Sequence, residues 1–182
     1  METKDFISWC FNQHDIVCNQ KYGDKHRYDD CRYPYSLHLK AVLSQYERFS
    51  HLLTDNEKQV AICGCAGHDL IEDARVTYRD IAGQIGQRVA DVIYCCTEEK
   101  GRNRDERHSE QYYKELAQNE IAVFVKLCDI IANVTYSLLM NSDMYEKFQK
   151  ENAKTNKYLW VERFEPMYEH LARLLTIEDT KL

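Results

Sequence analysis

The chain has 182 residues, 24 Lys and Arg against 30 Asp and Glu, a net charge of −6, and 44% hydrophobic with 30% charged residues. That size suits one core, and the mix of apolar and charged residues excludes intrinsic disorder. The acidic balance excludes general binding of extended nucleic acid or an anionic membrane, both of which need a basic field.

Only six Gly and two Pro are present, too few for the turns of a β-rich protein, so the expected class is all-α. Met1 to Asp5 lacks the basic-then-apolar pattern of a secretory signal, which makes the cytoplasm the expected location. The eight cysteines then read as reduced, buried small hydrophobes rather than disulfides. No repeat or linker divides the chain, so one domain over 1–182 is expected, and the oligomeric state is left open.

Phe6, Trp9, Cys10, Ile16 and Val17 predict a first helix. A charged loop from Tyr22 to Arg32 follows, and Lys21, Lys25, Arg27 and Arg32 make it basic. Pro34 suits the first turn of a second helix, in which Leu37, Ala41, Val42 and Tyr46 recur at helical spacing and which contains His38. Val60 to Ile71 is an apolar run; Thr77 is a candidate N-cap for a helix bearing Ile81, Ile85 and Val89, with Gly86 dividing it into two short pieces. Glu98 to Arg107 is polar and carries Lys100, Arg102, Arg104 and Arg107. An amphipathic Tyr112–Leu116 segment leads into the most apolar stretch, Ile121 to Met140, where Lys126, Asp129 and Asn133 point to a core helix rather than a membrane span. Tyr158 to Leu175 reads as a closing helix.

The informative segment is His68-Asp69-Leu70-Ile71-Glu72-Asp73, directly after the apolar run. On a helix His68 and Glu72, and Asp69 and Asp73, stand four apart, so all four ionisable groups are expected on one side. The carboxylates would repel one another there, and a divalent cation would offset the repulsion. Imidazole with carboxylate suits Mn, Fe, Zn or Co better than Ca. Two further ligands are sought among polar residues inside apolar helices, and these are His38 and Asp129. A lone buried Asp is expensive unless paired or metal-bound. Taken singly each residue has a duller reading: His38 as a structural group, Asp129 as an ion-pair partner of Lys126 or Arg88.

The order H…HD…D resembles that of the HD-domain phosphohydrolases. More narrowly, His68 to Thr77 resembles the HD-x-x-ED segment of the (p)ppGpp hydrolases of the RelA/SpoT and small alarmone hydrolase group. Pro34-Tyr35-Ser36-Leu37-His38 is similar to that group's P-Y-x-x-H, and Lys126-Leu127-Cys128-Asp129 with Asn133 to its K-L-A-D-x-x-x-N. The resemblance spans roughly residues 14–140 and leaves 141–182 as a helical extension. His14-Asp15 is a decoy with no acidic pair behind it.

The resemblance implies an HD-type helical bundle with Mn2+ held by His38, His68, Asp69 and Asp129. It implies Glu72 and Asp73 as the acidic pair that orients water and handles its proton. The reaction would release pyrophosphate from the ribose 3′ position and leave GDP or GTP. A small nucleotide is the implied partner, with Lys21, Lys25, Arg27, Arg102, Arg104 and Asn133 as candidate substrate-binding residues. Leu39 stands where the group has Pro, Ile130 where it has Arg or Lys, and Ala132 where it has an aromatic or His, changes expected to alter the wall that meets the nucleotide. Two other functions stay open: an HD nucleotidase or phosphodiesterase for another nucleotide, and a non-catalytic metal-binding module.

Overall fold

The computed structural model describes residues 1–22, 33–98, 104–140 and 144–177, without the side chains of 17–22 and 104–105. Helix α1 is Thr3–Tyr22 and α2 is Ser36–Phe49. Pro34 stands just ahead of α2 rather than within its first turn, and its carbonyl accepts from Leu37 N–H at 3.0 Å. A 3-10 turn, Ser50–Leu52, and the cap residue Thr54 open α3, Asp55–Gly67; Thr54 N–H donates to Glu57 at 2.8 Å. Next come α4, Tyr78–Ile85, and α5, Gln87–Cys96. Thr77 is the N-cap of α4, accepting from Asp80 N–H at 3.2 Å. Gly86, at φ 103°, makes the break between α4 and α5, a backbone conformation that side chains bearing a Cβ strongly disfavour. Then follow α6, Arg104–Arg107, α7, Glu110–Leu116, and α8, Glu120–Leu139. Among the described residues there is no strand, as the scarcity of turn formers requires.

Helix α8 is the axis of the molecule. It is long and apolar enough to cross a membrane by composition, but α2, α3, α5 and two later helices, α9 (Met144–Tyr158) and α10 (Glu165–Leu175), pack around it. Phe124, Leu127, Cys128 and Ile131 are fully enclosed, and the hydrophobic gain from such burial, about 1.5–3 kcal/mol for each large side chain, favours this central position. Helix α1 lies against α3, inserting Phe6 and Cys10 into the same core. Cys10, Cys63, Cys65, Cys96 and Cys128 are buried free thiols and Cys95 is half-buried, as expected of small hydrophobes.

Besides the place of Pro34, two sequence expectations need correction. The end of the chain forms two helices, α9, Met144–Tyr158, and α10, Glu165–Leu175, separated by a 3-10 turn at Glu162–Phe164. The closing helix therefore begins at Glu165 and not at Tyr158. The reason is local: Leu159 and Phe164 both drop into the core, which bends the chain between them. Arg163 fixes the bend with a two-pronged bond to Glu57, 2.9 and 3.0 Å, tying it to the first turn of α3.

The second correction concerns residues 68–73. Helix α3 stops at Gly67, and His68 to Asp73 form successive turns instead of continuing it. A Cβ at Gly67 would stand 2.7 Å from Ile93 Cδ1 and 3.0 Å from Leu70 Cδ1, so the absence of a side chain here leaves room for both to pack. Leu70 N–H bonds back to Gly67 O, Asp73 N–H to Asp69 O, and Val76 N–H to Leu70 O. Arg75, at φ 56°, reverses the chain.

Candidate metal centre

Helices α2, α3 and α8 touch one another pairwise, and each brings one part of the expected constellation to their meeting point. α2 presents His38, the turn after α3 presents His68 and Asp69, and α8 presents Asp129. His38, His68 and Asp129 are buried, and the Asp69 side chain is 14% exposed. His38 Nε2 lies 3.1 Å from His68 Nε2, 3.4 Å from Asp69 Oδ2 and 3.2 Å from Asp129 Oδ1. His68 Nε2 lies 3.0 Å from Asp69 Oδ2 and 3.5 Å from Asp129 Oδ1. Residues separated by up to 91 positions (129 − 38) in the chain thus meet, with each imidazole facing both carboxylates.

The donor set suits a divalent cation. Ligands about 2.0–2.2 Å from a small ion stand about 2.8–3.6 Å apart at right-angle to tetrahedral separations, and all five distances fall in that range. The tautomer agrees as well. His68 Nδ1 is 3.0 Å from Cys65 O, and a carbonyl can only accept, so Nδ1 carries a proton and Nε2 is the atom facing the cluster, where it would offer its lone pair to a metal on losing its own proton. His38, His68 and Asp69 by themselves make a group able to hold a metal.

The electrostatics are those of a cation-seeking pocket. Burial opposes charge on Asp129, but Lys126 and the two imidazoles hold its carboxyl well below the usual range. Burial likewise opposes protonation of His68, and Asp69 and Asp129 override it to hold the imidazole's pKa well above normal. Lys126, buried one turn before Asp129, donates to Asp129 Oδ2 at 3.2 Å and to Glu98 Oε1 at 2.5 Å. The ion-pair reading of Asp129 and its meeting with the histidines therefore hold together: one oxygen faces Lys126, the other the imidazoles.

The acidic pair divides. The Tyr35 hydroxyl is 2.6 Å from Asp73 Oδ2 and 2.5 Å from Asp69 Oδ2, and the Tyr35 ring stacks on His14 at 4.3 Å. The decoy histidine thus supports the residue that links Asp73 to the centre. Glu72 turns the other way: Arg107 reaches Oε1 at 3.2 Å and Glu98 N–H reaches Oε2 at 3.3 Å. The four ionisable groups of 68–73 do not share one face, because the chain turns there instead of continuing a helix. Burial, and then Asp69, Glu98 and Asp73, raise the Glu72 carboxyl above its ordinary pKa.

Asn133, one turn after Asp129, donates to Asp129 Oδ1 at 2.6 Å and so lies beside the cluster. Lys25, Arg27, Arg32, Lys100 and Arg102 lie outside the described residues, as do the side chains of Lys21 and Arg104. Of the two basic stretches only Arg107 is described at side-chain level, and it is spent on Glu72. The three departures from the family pattern also sort themselves. Leu39 and Ala132 are buried in the core and cannot form a nucleotide-facing wall; Ile130 is half-buried. Tyr35, Glu98 and His108 are site-supporting residues that the sequence reading did not single out. Only Tyr35 carried a signal, its place in the P-Y-x-x-H segment.

No family model matches the chain, and no curated protein matches it. Among solved structures it aligns with one described by the words "a metazoan ortholog of SpoT hydrolyzes ppGpp and plays a role in starvation responses". The TM-score is 0.71 over 94% of this chain and 92% of that one, at 18% identity. The two chains share a fold. A likeness at this identity speaks to the fold alone.

Proposed function

We propose that the chain is a metal-dependent phosphohydrolase of the HD type, removing the 3′-pyrophosphate of a (p)ppGpp-like nucleotide to leave GDP or GTP. The observation that carries this reading is the meeting of His38 and His68, 3.1 Å apart, each with Asp69 and Asp129 at 3.0–3.5 Å, with Asp73 of the acidic pair linked to Asp69 through Tyr35. The shared fold with a ppGpp hydrolase supports it. The four residues hold the metal, with Mn2+ the proposed ion. When bound, a divalent cation supplies Lewis acidity at the phosphoryl group and lowers the pKa of water toward neutrality.

The chain's own residues then do the rest. Asp73, held by Tyr35, orients the attacking water. Glu72, whose carboxyl holds a proton more readily than an ordinary glutamate, serves as proton carrier. The water oxygen bonds to phosphorus, the P–O3′ bond breaks, and the proton from water ends on the nucleotide 3′-oxygen or in solvent. Asn133 lies where it can reach substrate from the same helix as Asp129, and Lys21, Lys25, Arg27, Arg102 and Arg104 are proposed phosphate partners. All of 1–182 is proposed to act as one domain.

A second reading, hydrolysis of another nucleotide, is favoured by Ile130, a half-buried aliphatic residue next to Asp129 where the resembled group has a cation. The test is release of pyrophosphate from ppGpp with Mn2+, compared with release of phosphate or pyrophosphate from NADPH and nucleoside triphosphates. Pyrophosphate with GDP supports the alarmone reading, and cleavage of another nucleotide alone supports the second. If no nucleotide is cleaved with Mn2+, Co2+, Mg2+ or Zn2+, or if Asp69→Ala cleaves as well as wild type, the enzyme reading fails and a metal-binding module remains.

A further inference from the structure

Glu98, just past the end of α5, joins groups that are otherwise far apart. Its carboxylate is split between two partners: Oε1 bonds Lys126 Nζ at 2.5 Å, and Oε2 bonds His108 Nε2 at 2.6 Å. Lys126 in turn grips Asp129 Oδ2 at 3.2 Å. The backbone N–H of the same Glu98 donates to Glu72 Oε2 at 3.3 Å, while Arg107, the residue before His108, holds Glu72 Oε1 at 3.2 Å. The Glu98–His108 bond therefore pins together the two chain segments that clasp Glu72 from both sides. Tyr113 Oη, 3.4 Å from His108 Nδ1, and Glu151 Oε1, 3.7 Å from it, back the imidazole from α7 and α9.

Stability does not explain this arrangement. The side chains of Glu98, Lys126 and His108 are each 10% exposed or less. Replacing such a buried ionic group by apolar side chains of similar volume is often neutral or stabilising. What the network supplies is fixed geometry for two carboxylates at once, and partners behind metal ligands commonly set metal affinity in this way.

We propose that Glu98 is a positioning residue, setting Asp129 through Lys126 and Glu72 through its backbone and His108. This rests on the hydrolase reading above. The test is Mn2+ binding by calorimetry on wild type, Glu98→Gln and Glu98→Asp, with kcat and KM at saturating Mn2+ and a circular dichroism melt of each. Glu98→Gln keeps the shape and removes the charge. It should stay folded and bind Mn2+ roughly tenfold more weakly, with kcat reduced more than KM is raised and with Glu98→Asp recovering part of both. A merely structural role would lower the melting temperature and leave the Mn2+ affinity of the folded protein unchanged. An affinity within about twofold of wild type in folded Glu98→Gln overturns the proposal. Should that variant not fold, His108→Gln, which removes only the second support of Glu98, is judged by the same criterion. Wild type that binds no Mn2+ would overturn the hydrolase reading and this one with it, whereas wild type that binds and a variant that binds equally would overturn this one alone.

Discussion

Replacing Lys126 by Met tests the buried charge network at its centre. Met keeps the unbranched stem and most of the volume, so packing in α8 is retained and the ammonium alone is lost. Two carboxylates then lose a cation at 2.5 and 3.2 Å. Removing one member of a buried pair costs about 3–5 kcal/mol because the other charge stays behind unpaired. Here Glu98 keeps His108, and Asp129 keeps His38, His68 and Asn133, so the low end applies, about 3 kcal/mol. For a chain of this size each kcal/mol is about 2–4 °C, and a melting temperature lower by about 6–12 °C is expected by calorimetry at neutral pH. Mn2+ should add less to the melting temperature of the variant than to that of wild type, because Asp129 has lost the ammonium that sets it. A shift smaller than about 2 °C would refute the assignment of Lys126 as their shared counter-ion.

Further predictions follow from other contacts. Arg163 holds the Glu57 carboxyl at about 2, below its ordinary 4.5. A depressed folded-state value contributes stability above the unfolded pKa and loses it as pH falls through the folded one, so melts should weaken between about pH 5 and pH 2. With Arg163 31% exposed, screening reduces the nominal effect to about 1–2 kcal/mol, and Glu57→Gln should flatten that part of the curve. Gly67→Ala drives a methyl group to 2.7 Å from Ile93 Cδ1; a loss of about 1–3 kcal/mol is expected on melting, with weaker Mn2+ binding because His68 is the next residue. Tyr35→Phe keeps the stacking on His14 and removes the hydroxyl between Asp69 and Asp73, so activity should fall at least about tenfold with the melt little changed.

The helices were legible wherever one face is apolar. Ile81, Ile85 and Val89 marked α4 and α5, Gly86 marked their break, and Asp129 stood out because nothing else charged interrupts Leu127 to Ile131. Helix α9 left only a faint trace: Tyr145, Phe148 and Tyr158 are half-buried against the core, but the one buried side chain among those described in it is the polar Thr155, and so thin a stripe gives little periodicity to read. The turn at 68–73 was misread because its i to i+4 bond from Asp73 to Asp69 shares the spacing of a helix. The chain turns back there through the Val76 to Leu70 backbone bond and the positive φ of Arg75, which no apolar periodicity announces. Glu98 and His108 were invisible for the same reason: they lie in a polar stretch, and their meaning comes from Lys126, 28 residues beyond Glu98.

The convergence of His38, His68, Asp69 and Asp129 is tested most directly by Mn2+ titration of the purified chain followed by electron paramagnetic resonance, beside Asp129→Ala. One tightly bound Mn2+ per wild-type chain, lost or greatly weakened in folded Asp129→Ala, is the predicted result. Equal stoichiometry and affinity in both would mean that α8 contributes no ligand, and the centre described here would not exist.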